Sequence, residues 1–537
     1  MRSAVHPRSR GLRTPNAEFF RTETGTVPTD LRVVLADGEI EGALRRGLKM
    51  WRGIPYAAPP IGELRFRAPR AVVPWRGVLD ATRFGPAAPQ DRKGQFAGPH
   101  PSVQLSEDCL TINVIAPRGA PDAPALPVMV WIHGGAYSVG SSREIRRQGE
   151  ALAREGVIFI NFNYRLGALG YLNFTSFSTS ERIFESNLGL RDQVAALQWV
   201  RANIAAFGGN PDNVTLFGES AGANAVTTLM TVPRARGLFC RAIAESSPPN
   251  AIYPENVTAQ WAAEYVELLS ETVDNSSTDS TTREDAGELL ASASIDQLVS
   301  ATTRLSLASP DKHPGTIALC PVIDGDFLPE RPLDAFKAGR AHPVPLIIGT
   351  NDREGSLFRG RLDILATTPP RIRAIFAKTR KKARKALKAQ YPGLPARRPA
   401  ADFGGDYAFW YPSVKVAERH ARFAPVYFYR FDSAPRLVRL AGYDATHGLE
   451  MWALFDLMDA PFGRVMGILG GSRSFRRAGE RMRSHWISFA RDSALTDDWP
   501  CYTSGTRRTL IIDDVDRIEE DPRSERRIAW EEFVPHV

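Results

Sequence analysis

The stretch Val214-Thr215-Leu216-Phe217-Gly218-Glu219-Ser220-Ala221-Gly222 decides how this chain is read. A β-branched and aromatic run ends on Gly-x-Ser-x-Gly, and a small-residue run able to form a helix follows from Ala221. In a strand–turn–helix of this kind the two glycines let the chain pack closely while the serine hydroxyl projects outward. Such a hydroxyl becomes a nucleophile when a base takes its proton and fixed donors hold the oxyanion that forms on the attacked carbonyl. The same five-residue pattern also occurs in glycine-rich turns around ordinary serines. Here the strand before it, the helix after it and partner residues in the right chain order single out the reactive reading.

Upstream, Leu190, Val194, Leu197 and Ile204 keep helical spacing, and Gly208-Gly209-Asn210-Pro211 supplies a stop. Val128–Ile132 is a continuous apolar run ending in His133-Gly134-Gly135, and Val157–Phe162 is another ending in Asn163-Tyr164. Runs apolar on both faces suit central strands of a parallel sheet covered on each side by helices. Further strands are expected at Val344–Ile348, Val426–Phe431 and Leu510–Ile512, separated by helical or loop-rich sequence. Residues 31 to 70 alternate short β-like runs with turn signals at Asp37-Gly38, Gly42 and Gly47, which reads as hairpins. The alternation predicts an α/β fold with a large, mostly parallel sheet and long helical insertions. Residues 274 to 285, rich in Ser, Thr and Asp, read as a surface loop, so residues 31–537 are expected to form one domain.

The 537 residues are 43% hydrophobic and 24% charged, a globular composition that excludes disordered and fibrous classes. No run approaches the ~18 apolar residues of a membrane span. Residues 1–30 carry Arg2, Arg8, Arg10, Arg13 and Arg21 without an apolar segment, which fits a disordered basic tail, with an Arg-rich, Ser-containing organelle-type transit peptide as the alternative, and not a secretory leader. Cys109, Cys240, Cys320 and Cys501 are widely spaced and form no C-x-x-C unit, so they predict neither a metal site nor a disulfide framework but buried free thiols. Much of the net charge of +8 is local: residues 371–388 hold nine Lys or Arg and no acid. Apolar residues recur through that segment at near-helical spacing, predicting an amphipathic helix with a basic outer face. Its bland reading is a solvated surface, and its sharper one is weak contact with an anionic surface. No nucleic-acid motif accompanies it, so nucleic acid is not expected as a partner.

In the chain order nucleophile, acid, base, six histidines follow Ser220: His313, His342, His420, His447, His485 and His536. Only His447 sits in a glycine-containing loop after a late strand, in Thr446-His447-Gly448-Leu449-Glu450. The acid is expected at the turn Gly349-Thr350-Asn351-Asp352-Arg353-Glu354-Gly355, where Asp352 and Glu354 compete and spacing does not decide between them. Oxyanion donors are expected from the N–H of Ala221 and from the loop His133-Gly134-Gly135-Ala136, each worth ~3 kcal/mol in the transition state. His133 precedes the nucleophile and is read as shaping that loop.

Several further motifs stand in order along the chain. They are Gly53-Ile54-Pro55-Tyr56-Ala57-Ala58-Pro59-Pro60, Leu64-Arg65-Phe66, Ser106-Glu107-Asp108-Cys109-Leu110, Asn163-Tyr164-Arg165 and Gly189-Leu190-Arg191-Asp192-Gln193. With the segment from Phe207 to Gly222, the chain from about residue 31 onward resembles the type B carboxylesterase and cholinesterase-like family. The resemblance implies the α/β-hydrolase fold, a triad of Ser220, Glu354 and His447, and an oxyanion hole from Gly135, Ala136 and Ala221. It implies hydrolysis of a small-molecule carboxylic ester through an acyl-enzyme, with no metal and no cofactor. Three departures matter. The acid turn reads D-R-E-G where the family has K-D-E-G. Cys109 lacks its family partner because Phe84-Gly85-Pro86-Ala87-Ala88-Pro89-Gln90 carries alanine in the cysteine's place, which fits a reducing, cytoplasmic setting. No Trp lies between Ala88 and Cys109 to hold a quaternary ammonium, so choline esters are not expected, and Ala136 after the glycine pair resembles the family's bacterial-type esterases, which implies small uncharged esters. The same residues would serve a carbamate, amide or lactone. A non-catalytic, neuroligin-like interaction protein is disfavoured by the intact triad positions.

Overall fold

The computed structural model describes residues 31–92, 99–119, 124–143, 148–273, 282–358, 363–493, 495 and 498–533. The basic tail expected over residues 1–30 and most of the polar loop expected over 274–285 lie outside them. Residues 283–285 of that loop instead open a helix, Arg283–Ser292, because Thr282 and Asp285 cap each other's backbone reciprocally.

Eleven strands form the main sheet: β1 (Ala43–Arg45), β2 (Leu48–Pro55), β3 (Thr111–Pro117), β4 (Leu126–Ile132), β5 (Ile158–Phe162), β6 (Gly209–Glu219), β7 (Arg241–Glu245), β8 (Leu346–Asn351), β9 (Val426–Phe431), β10 (Arg508–Ile512) and β11 (Arg517–Glu520). Their order across the sheet is β11-β10-β9-β8-β7-β6-β4-β5-β3-β2-β1. From β5 to β10 all neighbours run parallel, and antiparallel strands close both edges. This is the α/β-hydrolase fold. The N-terminal hairpins also form, Arg32–Leu35 with Gly38–Glu41 and β1 with β2.

The sheet separates two apolar layers. Along β4, Val128, Val130 and Ile132 enter one layer while Met129 and Trp131 enter the other, the alternation a pleated strand imposes. The first layer is covered by helix Leu188–Asn203 through Leu190, Val194 and Leu197. Helix Ser472–Asp492 covers the second through Phe475, Met482, Trp486 and Phe489. Because β5 and β6 flank β4 on opposite sides, the connections diverge at the carboxyl end of β4. That divergence opens a crevice where open α/β sheets bind ligands.

Several sequence expectations needed correction. β3 and β7 were not anticipated. β7 reads Arg-Ala-Ile-Ala-Glu, and its charged ends hide a strand lying between β6 and β8. The ends are satisfied by the fold itself: Arg241 bonds the Asn213 side chain, and Trp486 Nε1 donates to Glu245 at 2.8 Å. β6 begins at Gly209, so Gly209-Asn210-Pro211 belongs to the strand, and the helix instead ends at Asn203 in a 3₁₀ turn, Ile204–Phe207, closed by Gly208 at φ 85°. The basic segment forms two helices, Pro369–Ala377 and Lys381–Gln390, instead of one. The break falls over residues 378–380, where the Thr379 hydroxyl turns back onto Ile375 O at 2.9 Å. Arg371 in this segment is buried against Asp311 and Asp363, whereas Arg373, Lys381, Lys385 and Lys388 face solvent. Cys109 and Cys320 are buried free thiols as expected, but Cys240 is half-buried and Cys501 exposed. No helix among the described residues is long and apolar enough to cross a membrane.

Candidate active site

Ser220 lies between the end of β6 and helix Ala221–Leu229, at φ 57° and ψ −124°. A non-glycine residue held there costs ~1–3 kcal/mol, which the surroundings must impose. They do so by proximity. A Cβ at Gly218 would lie 2.7 Å from Ile132 O and 2.7 Å from Gly222 C, and one at Gly222 would overlap Ile132 O. Only glycine on both flanks lets the turn close against β4. The Ser220 N–H donates to Glu245 O at 2.9 Å, so the end of β7 pins it from the other side.

The imidazole of His447 bridges two of the expected residues. Its Nε2 is 2.8 Å from Ser220 Oγ and its Nδ1 is 2.6 Å from Glu354 Oε2. The three residues, 227 and 93 positions apart in pairs, thus form one hydrogen-bonded line. Asp352, the competing carboxylate, faces away and accepts from Arg523 Nη2 at 2.6 Å. Burial would raise its pKa, but Arg523 and Arg430 outweigh that and hold it below the usual carboxylate range. The structure therefore separates the two acids that spacing left unresolved.

Gly135 and Ala136 take φ of 107° and 52°, and the loop is closed by Ser138 N and Val139 N donating to Gly135 O at 3.0 Å each. This loop rests on the nucleophile, for a Cβ on Gly134 would lie 3.1 Å from Ser220 Cβ. Ala221 is the first residue of its helix, where an N–H has no intrahelical acceptor and the helix end carries partial positive charge. His133 is buried and stacked on Tyr164, ring centroids 4.4 Å apart, with Nδ1 3.0 Å from Gly134 O. Burial pulls its pKa down to about 4, so it stays neutral and shapes the loop.

Sequence reasoning missed the shell around the imidazole. Glu219 Oε1 stands 3.2 Å from His447 Nε2. Ser246 donates to Glu354 Oε1 at 2.6 Å and approaches Glu450 Oε1 at 3.1 Å, while Asn351 N donates to Glu354 Oε1 at 2.6 Å. Asn351 Nδ2 also bonds Glu450 Oε2. Phe358 and Phe409 flank the ring, with centroids 5.1 and 4.4 Å away, and with Leu365 and Ala408 they form a separate small apolar cluster. Glu219 and Glu450 stand inside quoted motifs, but nothing local in the sequence says that a carboxylate there faces the histidine.

Electrostatics follow from this crowd of carboxylates. Burial alone would lower the His447 pKa, yet Glu219, Glu354 and Glu450 outweigh it and push it up to about 9. Burial and the charge on Glu354 in turn push Glu450 up to about 7. Glu245, further from the ring, is raised by burial and by Glu450. The arrangement has a hydroxyl, a base and an orienting carboxylate in line, beside backbone donors and an apolar wall. It can attack a carbonyl and hold the resulting oxyanion.

Comparisons with known proteins agree in kind. The carboxylesterase family model matches residues 29–530. The para-nitrobenzyl esterase of Bacillus subtilis (strain 168) is 36% identical over 496 residues, covering 91% of this chain and 96% of that protein. A solved PNB esterase superposes with a TM-score of 0.82 at 34% identity, covering 94% of this chain and all of the other. A carboxylesterase from Geobacillus stearothermophilus superposes at 0.76 with 30% identity, covering 93% of this chain.

Proposed function

Since this chain belongs to the carboxylesterase family and is a serine carboxylesterase, we propose that it cleaves carboxylic esters through an acyl-enzyme on Ser220, with His447 as base and Glu354 as the orienting acid. The observation that carries this reading is the continuous line Ser220 Oγ, His447 Nε2, His447 Nδ1, Glu354 Oε2, with steps of 2.8 and 2.6 Å across the ring. In the forward step Ser220 Oγ bonds the substrate carbonyl carbon while its proton passes to His447 Nε2. Glu354 accepts from Nδ1–H, which selects the tautomer with a free lone pair at Nε2 and stabilises the imidazolium that follows. The N–H groups of Gly135, Ala136 and Ala221 receive the oxyanion. Collapse breaks the bond to the alcohol oxygen, which leaves with the proton from His447. Water then repeats the sequence against the acyl-Ser220 ester and releases the acid.

The apolar cluster of Phe358, Leu365 and Phe409 beside the imidazole supports small, uncharged, apolar esters as substrates. The buried, unpaired thiol of Cys109 supports a reducing compartment, the cytoplasm. A fluorophosphonate probe tests the nucleophile. Stoichiometric labelling that maps to Ser220 and disappears in Ser220→Ala is expected, and undiminished labelling of that variant would refute the assignment. In a substrate panel, para-nitrophenyl acetate should turn over far faster than butyrylcholine; the reverse order would overturn the preference for uncharged esters.

A further inference from the structure

Five large apolar side chains stand exposed within thirty residues of one another in the C-terminal half: Leu440 at 76%, Phe462 at 51%, Val465 at 54%, Ile468 at 73% and Leu469 at 49%. Helix Arg436–Leu440 carries the first, and helix Pro461–Met466 with the turn after it carries the rest. The two segments touch, with Arg436 N donating to Gly470 O at 3.3 Å, so they belong to one surface. The second helix is fixed to the body. Met466 is buried, Gly463 lies so close to Leu457 O that a Cβ would stand 2.5 Å from it, and Trp452 supports Phe462 with ring centroids 5.2 Å apart. Contiguous exposed apolar surface of this kind marks a binding face.

The charge around it is mostly positive, with Asp456 and Asp459 beside Arg476 and Asp513 beside Arg439. Residues 433–443 and 460–479 contain six arginines and no acid. Arg476 is engaged by Asp456 and Asp459, and Arg439 reaches Asp513 at 3.5 Å. Arg436, Arg464, Arg473 and Arg477 are exposed and make no ion pair among the described residues. A second copy of the chain is a poor occupant, because a two-fold interface would set one mostly basic patch against another. Apolar tips amid unpaired cations match the boundary between lipid headgroups and acyl chains.

We propose that this face docks the enzyme on an anionic lipid surface, the arginines contacting phosphate headgroups while Leu440, Phe462, Val465, Ile468 and Leu469 enter the acyl boundary. The basic helix Lys381–Gln390 is the weaker candidate. Its apolar residues Ala383 and Leu387 face inward, Lys382 is paired with Glu532, and charge alone gives weak, salt-sensitive attachment. The face also lies on the run of chain that carries His447: helix Arg436–Leu440 precedes its loop, and helix Leu449–Leu454 leads from the loop towards Pro461. Docking would hold the enzyme at a lipid surface, and the proposal stands or falls apart from the assignment of the catalytic residues.

Co-sedimentation of the full chain with phosphatidylglycerol and phosphatidylcholine vesicles tests it. Expected is binding to phosphatidylglycerol at least ten-fold tighter than to phosphatidylcholine, weakened in high salt. The F462S/I468S/L469S and R436E/R464E/R473E variants should each lose at least ten-fold, with turnover of a soluble aryl ester in lipid-free buffer unchanged, while K381E/K385E should bind as wild type. If the apolar variant loses soluble turnover as well, the charge-reversal variant decides alone. No binding to phosphatidylglycerol, binding indifferent to the patch variants, or loss confined to K381E/K385E would overturn the proposal. So would equal binding to polyglutamate that ignores the apolar substitutions, which points to an acidic polypeptide, or a wild-type dimer in sedimentation velocity that the apolar variant dissolves.

Discussion

The two halves of the active site are held in different ways. Ser220, the proposed nucleophile, is placed by backbone. Strand β6, a turn and a helix follow one another within one short stretch, and the flanking glycines are clasped against Ile132 O. Glu354 and His447, the proposed acid and base, are placed by side chains from two loops that meet only in the folded protein. Arg353 donates to Asp444 at 2.7 Å and to Asp402 at 3.0 Å, and its N–H reaches Ala445 O at 2.9 Å. Ser356 Oγ bonds Thr446 Oγ1 at 2.7 Å, and Asn351 Nδ2 bonds Thr446 O at 2.6 Å. A backbone-built site fails abruptly when its geometry is violated, whereas a side-chain-built one loosens by degrees.

The largest effect removes either half outright. Ser220→Ala and His447→Ala should each lower kcat on para-nitrophenyl acetate by about 10⁶-fold, and Glu354→Gln by about 10⁴-fold, in steady-state assays. Gly222→Ala tests the backbone half. The added methyl group has no room beside Ile132 O, so about 1–3 kcal/mol of stability in denaturant unfolding should be lost together with most of the activity. Arg353→Met tests the side-chain half. It unpins the Glu354 turn from the His447 loop, and kcat should fall by about 10- to 100-fold with KM little changed. Because Asp402 and Asp444 are partly solvated, the accompanying stability loss should be only about 1 kcal/mol. If Gly222→Ala proved the milder of these two, the contrast between the halves would be wrong.

The smallest effect concerns pH. Only the neutral imidazole acts as base, and the carboxylates push the His447 pKa up from 6.5 to about 9. The acid limb of kcat/KM should therefore lie above the range of an ordinary histidine. Glu219→Gln removes one of the charges responsible and should move that limb to lower pH; a limb that stays put would remove Glu219 from the account. The sign for stability is opposite. Attraction between the imidazolium and its carboxylates contributes in full below pH 6.5 and is lost as pH rises through about 9, so the Tm advantage of wild type over Glu219→Gln should shrink across that window.

What could be read from the sequence was what neighbouring residues impose on each other. Gly218 to Gly222 specify a tight strand-to-helix turn, the apolar runs of β4, β5 and β9 announce buried strands, and a glycine-containing loop after β9 marks His447. Long-range charge compensation was not legible, and it accounts for what was missed. β7 carries Arg241 and Glu245 because Asn213 and Trp486, remote from its ends in the chain, hydrogen-bond them. Asp352 and Glu354 likewise differ only in three dimensions, where Arg523 bonds one and His447 bonds the other. Local geometry is written in adjacent residues. The surroundings of a buried charge are assembled from segments hundreds of residues apart, and only the folded chain brings them within hydrogen-bonding distance.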